Sequence, residues 1–107
     1  MAIPTPGFVT YIISELSGIF PVNACRFFGG WQLRSDNKQF AIVMGGTLFF
    51  RVDDALRDEM QKLGCRPFSY AKQGTQVLVP KYMSAPDGVL DELDLLRTWA
   101  ARVIAGT

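Results

Sequence analysis

One stretch of the chain, residues 27–54, most constrains what the protein can fold into. It reads FFGGWQLRSDNKQFAIVMGGTLFFRVDD and combines aromatic and β-branched residues with two glycine pairs. Aromatic and β-branched residues favour strands, and glycine reaches the positive φ angles that tight hairpin turns require. The stretch therefore predicts three short strands that are separated by two tight turns and pair in an antiparallel sheet.

Segments with apolar residues at helical spacing flank this stretch. They begin after Thr5-Pro6, after Asp53-Asp54 and after Asp91. Threonine and aspartate are good helix caps, and proline suits the first helical position. Two further extended segments lie near residues 67–70 and 75–83, where Pro80 indicates an edge strand or a bulge. The predicted fold is α+β, with a single mostly antiparallel sheet of about five strands, flanking helices and the order α-β-β-β-α-β-β-α.

The predicted strands carry apolar residues on both faces. In a strand, successive side chains point to opposite sides. In the strand near residues 39–44, one face then carries Phe40, Ile42 and Met44, and the other carries Ala41 and Val43. In the strand near residues 47–52, Leu48, Phe50 and Val52 lie on one face and Phe49 on the other. In the strand near residues 75–83, Val77, Val79 and Met83 lie on one face, and Leu78 and Tyr82 on the other. Two interpretations follow: the helices divide between the faces and bury both, or one face stays exposed as a patch for a partner or a second copy.

Composition indicates one packed domain over residues 1–107. The chain is 49% hydrophobic and 20% charged, with a net charge of +1. This charge gives no general attraction to nucleic acid or to an anionic membrane. The first residues lack the basic start of a signal peptide, and no apolar run is long enough to span a bilayer. We therefore expect a cytoplasmic protein that does not bind membranes.

The residue types argue against catalysis. There is no histidine, which is the usual general base and zinc ligand. We expect the two cysteines, Cys25 and Cys65, to be reduced and mostly buried as small apolar side chains. The alternative is a redox bridge between them, which requires Cα atoms within about 7 Å. The sequence predicts no catalytic residues, no metal site and no cofactor.

Basic and aromatic residues provide the candidate contacts instead. The predicted contact residues are Arg26, Phe49, Arg51, Lys81 and Tyr82. The preferred hypothesis is a non-enzymatic regulatory domain that binds a protein partner or forms a homodimer. The first alternative is a nucleic-acid-binding module that uses a basic and aromatic sheet face. The second is a small-ligand-binding or enzymatic domain, which needs a deep pocket with convergent polar groups.

Several short motifs occur in an order that resembles the order found in a known family. The segments Arg26-Phe27-Phe28-Gly29-Gly30, Phe40-Ala41-Ile42-Val43 and Gly46-Thr47-Leu48-Phe49-Phe50-Arg51-Val52-Asp53 are similar to the amino-terminal domain of the TfoX/Sxy regulators. Gly64, Pro67-Phe68, Tyr70, Gly74, Tyr82 and Trp99-Ala100 follow in the family order. The resemblance covers roughly residues 8–104.

This resemblance implies an α+β fold and a non-enzymatic regulator linked to competence for DNA uptake. It implies no catalytic residues. Two features differ from the full-length regulators: we expect a stand-alone domain without their helical carboxyl-terminal domain, and Cys25 stands where many members have arginine.

Overall fold

The computed structural model describes residues 7–86, 88–89 and 91–106, except for the side chains of Phe8 and Leu93. Within these residues, three helices and six strands follow in the order α-β-β-β-β-α-β-β-α. Their bounds are α1 Gly7–Leu16, β1 Asn23–Phe27, β2 Gly30–Ser35, β3 Lys38–Met44, β4 Thr47–Arg51, α2 Asp54–Lys62, β5 Pro67–Lys72, β6 Thr75–Ser84 and α3 Leu93–Gly106. The predicted helix start at Thr5-Pro6 lies outside the described residues.

The strands form one antiparallel sheet with the spatial order β1-β2-β3-β4-β6-β5. The α+β prediction is confirmed, but the sheet has six strands rather than about five, with four rather than three before α2. The extra strand results from the turn at Phe28-Gly29, where φ is 44° and 84°. Phe27 pairs with Gly30 across this turn, so residues 23–35 form a hairpin of two strands.

All three helices pack on one face of the sheet, which we call the helix-covered face. Its core contains Val9, Ile12, Leu16, Leu56, Met60, Leu96, Trp99, Ala100 and Val103 from the helices, and Leu33, Ala41, Val43, Leu48, Phe50 and Met83 from the strands. Cross-strand pairs place Ala41, Phe50 and Met83 in one row of that face. The interpretation in which the helices divide between both faces is therefore wrong.

The opposite face, which we call the helix-free face, contains another row of paired residues. Cys25 pairs with Gln32, Gln32 with Ile42, Ile42 with Phe49, and Phe49 with Ser84. The predicted separation of Phe49 from its neighbour Phe50 is confirmed, because Phe50 belongs to the helix-covered core.

A bulge interrupts the alternation of β3 at Phe40. Leu33 pairs with Ala41 and Arg34 pairs with Gln39, which leaves Phe40 as an extra residue. Such a bulge can turn two successive side chains to the same side, and Phe40 and Ala41 both lie in the helix-covered core. The predicted grouping of Phe40 with Ile42 is therefore wrong.

A second irregularity lies in β6, which is an interior strand between β4 and β5. Pro67 pairs with Met83 while Phe68 pairs with Val79, so β6 has three extra residues between these pairs. Pro80 is one of them. Its interpretation as a bulge marker is confirmed. β6 is not an edge strand in the strand order, but β4 pairs only with its residues Tyr82, Met83 and Ser84.

This irregularity changes which residues of β6 share a face. Met83 enters the helix-covered core, whereas Tyr82 lies near Phe68, with ring centroids 6.4 Å apart. Val79 is the cross-strand partner of Phe68. The predicted grouping of Val79 with Met83 against Tyr82 is therefore wrong, because the extra residues break the alternation between them.

The start of α2 follows the sequence prediction. Oδ1 of Asp53 accepts a hydrogen bond from the backbone N–H of Leu56 at 2.8 Å, as expected of a helix cap. Gly64 follows the helix with φ of 87°. The cap lies between the end of β4 at Arg51 and the start of α2 at Asp54.

Candidate functional site

Aromatic rings gather on the helix-free face. The ring centroids of Phe49 and Phe68 are 5.2 Å apart, and those of Phe68 and Tyr70 are 6.3 Å apart. Phe49 and Phe68 are partly exposed, and Tyr70 is 44% exposed. The first contact joins β4 to β5 across the intervening strand β6. We call Phe27, Phe49, Phe68, Tyr70 and Tyr82 together the aromatic face.

The sheet curves toward the aromatic face. Phe27 is on β1 and Tyr82 is on β6, four positions away in the strand order. Strands at that separation in a flat sheet would be roughly 19 Å apart, yet the two ring centroids are 6.4 Å apart. The curvature accounts for the burial of Tyr82 and for the complete burial of Ile42, which lies outside the helix-covered core.

Side-chain hydrogen bonds border the aromatic face. The hydroxyl of Tyr82 donates to Oε1 of Gln39 at 2.6 Å, and Nε2 of Gln39 donates to Oε1 of Gln32 at 3.2 Å. Both bonds run in the same direction, so each glutamine accepts through its carbonyl oxygen. The amide N–H groups of Gln32 are left as donors for a further partner.

A cleft of about 680 Å³ continues from these glutamines at the ends of β2, β3 and β4. Its lining includes Gln32, Arg34, Lys38, Gln39, Arg51 and Asp53, and we call it the polar cleft. The cleft is open to solvent and lined mainly by charged and polar side chains. It is suited to binding a charged group at the surface rather than to enclosing an apolar ligand.

Four of the five predicted contact residues belong to the aromatic face or adjoin it, and one of them, Arg51, lines the polar cleft. Phe49 and Tyr82 belong to the aromatic face, and Arg51 is the cross-strand partner of Tyr82 and lines the cleft. Nζ of Lys81 lies 5.3 Å from the centroid of the Tyr82 ring. Tyr82 is only 5% exposed, so it holds its neighbours in place rather than offering surface of its own.

Arg26 is separated from this group. Its cross-strand partner is Trp31, which packs against the helix-covered core. The guanidinium carbon of Arg26 lies 5.3 Å from the centroid of the Trp31 ring. Arg26 therefore stacks on a tryptophan at the edge of the helix-covered face, and the structure does not bring it to the other four residues.

Several residues of the site were absent from the sequence prediction. Phe68 and Tyr70 alternate along β5, and this spacing was a signal that could have identified them. The roles of Gln32 and Gln39 had no comparable signal. Tyr82 and Gln39 are 43 positions apart in sequence, so their hydrogen bond depends on the placement of β6 in the sheet.

The cysteines differ in exposure. Cys65 is buried in the helix-covered core, as predicted, whereas Cys25 is exposed on the edge strand β1. The prediction that Cys25 is mostly buried is wrong, because its strand lies at the margin of the sheet. No disulfide joins Cys25 to Cys65, so the redox-bridge alternative has no support in the structure.

An ion pair between two helices, away from the aromatic face, shifts the pKa values of both its members. Arg102 of α3 donates hydrogen bonds to Glu59 of α2, which lower the pKa of the Glu59 carboxyl and raise that of Arg102.

Across residues 7–86, 88–89 and 91–106, no three histidine, cysteine, aspartate or glutamate residues form a group that could hold a metal ion. None of the helices described for the chain combines the length and apolar character that a membrane span needs.

Comparison with known proteins relates the entire sheet to one family. No curated protein shows a significant sequence match. The family model of the TfoX N-terminal domain matches residues 14–106, nearly the whole chain. The match begins within α1 and ends at the last residue of α3, so it includes both faces of the sheet. The chain therefore belongs to the TfoX N-terminal domain family.

Proposed function

We propose that this domain is a non-enzymatic regulator that acts through protein contacts on the aromatic face. One observation supports this proposal above all: the helices cover a single face of the sheet, and the other face keeps partly exposed aromatic rings. Sheet faces of this apolar character are usually covered by a second layer. Exposed apolar patches with polar rims are typical of interaction sites.

The non-enzymatic part of the proposal rests on residue chemistry. The chain has no histidine, and the aromatic face offers rings rather than paired acid and base groups. The exposed thiol of Cys25 is compatible with a reducing compartment, and we place the protein in the cytoplasm. Because the TfoX family is associated with competence regulation, we extend a role in that process to this chain.

A second copy of the chain is the partner that we propose first. The aromatic face reaches β5, which is an edge strand of the sheet, and edge strands can pair with another chain. Tyr70 lies on this strand and is 44% exposed. A twofold arrangement would bring two copies of the same apolar surface together.

A charge at Tyr70 tests this proposal. In Tyr70→Glu, the new carboxylate stays hydrated in the monomer but loses water in a dimer that covers the aromatic face. Light scattering at high micromolar concentration should give a wild-type mass near twice 11.9 kDa and a variant mass near 11.9 kDa.

Leu95→Glu provides the matched control. Leu95 is 37% exposed and lies in the first turn of α3, where a carboxylate is favourable. This variant should keep the dimer mass. A wild-type protein that stays monomeric would contradict self-association, and equal dissociation of both variants would contradict its assignment to the aromatic face.

A further inference from the structure

The polar cleft carries an excess of positive charge. Arg34, Lys38 and Arg51 line it, and Asp53 is the one carboxylate among its described lining residues. Asp53 already caps α2 through the N–H of Leu56. In the described part of the chain, none of the three cations forms an ion pair, since the pairs found there lie within α2 and between α2 and α3. The cleft thus presents basic groups without a protein counter-charge.

Arg34 lines this cleft and has one unmet hydrogen-bond requirement. One of its terminal nitrogens donates to the carbonyl oxygen of Asn37 at 2.6 Å, which orients the guanidinium group. Its Nε is buried and has no hydrogen-bond partner among the described residues. An unpaired buried donor on a charged group is unfavourable, and an anion bound at the guanidinium group would offset part of that cost.

The remaining donors of the cleft favour the same type of ligand. Gln32 accepts from Gln39 through its carbonyl oxygen, which leaves its amide N–H groups for a partner in the cleft. Arg51 is exposed, lies at the end of β4 and also lines the cleft. Two guanidinium groups, an ammonium group and an amide therefore surround one open space, and guanidinium groups match the oxygen geometry of phosphate.

We propose that the polar cleft binds the phosphate group of a nucleotide-sized ligand. The volume of about 680 Å³ exceeds the need of a bare ion and falls within the range of about 300–1,000 Å³ that is typical of ligand sites. Arg34 and Arg51 form the principal phosphate contacts, and Lys38 and Gln32 complete them. This site goes beyond the protein-contact role proposed for the aromatic face and is independent of it.

An NMR titration of the full chain tests the site. The probes are inorganic phosphate, a nucleoside 5′-monophosphate and the parent nucleoside without phosphate. Both phosphate-bearing probes should cause saturable shifts at the Nε–H signals of Arg34 and Arg51, and the nucleoside should not. Tighter binding of the monophosphate than of inorganic phosphate supports a nucleotide-sized ligand, and equal binding of the two would contradict that ligand size. Absence of saturable shifts, or equal shifts with the nucleoside, would overturn the proposal.

Charge-matched variants locate the binding. Arg51→Gln should weaken phosphate binding about tenfold, because it removes a charge-assisted contact. Lys72→Gln removes the same charge from an exposed position on β5 outside the cleft and should change the affinity less than about twofold. Lys38→Gln is a second cleft variant, and urea unfolding checks that each protein folds. Equal weakening by Arg51→Gln and Lys72→Gln would overturn the proposal.

A single-stranded oligonucleotide is the last probe. If its affinity falls selectively in Arg51→Gln, the cleft accepts phosphate from a nucleic-acid backbone, which supports the site. If all charge variants weaken it equally, binding depends on distributed charge rather than on the cleft. Tyr70→Glu should bind phosphate as the wild type does, so failure of the dimer proposal and failure of this one are distinguishable.

Discussion

The two faces of the sheet differ in how their apolar residues are covered. On the helix-covered face, the side chain of Phe50 is 0% exposed beneath the helices. On the helix-free face, its neighbour Phe49 is partly exposed and contacts another aromatic ring rather than a helix. The same residue type in adjacent positions of one strand therefore has two environments. One face stabilises the fold, and the other combines partial burial with accessible apolar surface.

Curvature explains how the helix-free face remains ordered without a helical layer. The approach of Phe27 to Tyr82 brings distant strands together on the same face as Ile42, which is 0% exposed. Part of the second face is thus a small core of its own, and its outer rings remain available. Burial on this face is graded from Ile42 and Tyr82 outward to Tyr70, whereas the helix-covered core is buried throughout.

The largest expected effect is on the free energy of unfolding when the adjacent residues Phe49 and Phe50 are each replaced. Phe50→Ala should lower the free energy of unfolding by about 3–5 kcal/mol, because it leaves a cavity in a buried core. Phe49→Ala should lower it by about 1–2 kcal/mol, since a partly exposed side chain loses less burial. Urea unfolding of both variants measures this difference.

Phe50→Leu and Phe49→Leu extend this comparison if Phe50→Ala does not fold. They should keep the same order with smaller losses. Equal destabilisation at the two positions would show that the faces contribute alike, and would contradict the distinction drawn between them.

The next effect concerns the polar edge of the aromatic face. Tyr82→Phe removes the hydroxyl that donates to Gln39 and should lower the free energy of unfolding by about 0.5–1.5 kcal/mol. Tyr70→Phe removes the same group from an exposed ring and should have an effect within about 0.5 kcal/mol of zero. Urea unfolding distinguishes them, and a Tyr82→Phe variant as stable as Tyr70→Phe would show that the hydroxyl does not support the face.

The smallest expected effect is on the melting temperature when an ion pair on the outer surface of the helices is removed. Glu59→Gln removes the ion pair with Arg102, whose side chains are both partly exposed, so the melting temperature at neutral pH should fall by at most about 2 °C. The lowered pKa of Glu59 means that its stabilisation is present above its unfolded-state pKa and is lost as pH falls through the folded-state value. Thermal unfolding of the two proteins should converge at low pH, and a constant difference at every pH would contradict this assignment.

Local sequence patterns predicted the parts of the fold that depend on neighbouring residues. Alternation placed Phe49 and Phe50 on opposite faces, and a capping residue located the start of α2 at Asp53. Phe40 and Tyr82 were assigned to the wrong groups because bulges break the alternation. A bulge arises from pairing with a distant strand, and nothing within β3 alone distinguishes it from regular strand.

The candidate site was predictable only in part for the same reason. Phe49 and Arg51 could be proposed from their strand. Gln32 and Gln39 gain their roles only when β6 brings Tyr82, which is 43 positions from Gln39, to the end of β3. The placement of all helices on one face was also open, because an apolar residue on a strand does not reveal which layer will cover it.

A dilution series followed by methyl NMR tests the central claim most directly. Val77 and Val79 lie beside Tyr70 and Phe68 across the β5–β6 pair, whereas Ile19 and Leu95 are exposed on the helical side. If the aromatic face is the interaction surface, the methyl signals of Val77 and Val79 should shift with protein concentration while those of Ile19 and Leu95 stay constant. Shifts confined to Ile19 and Leu95, or no shift at any of these methyls up to high micromolar concentration, would contradict the account.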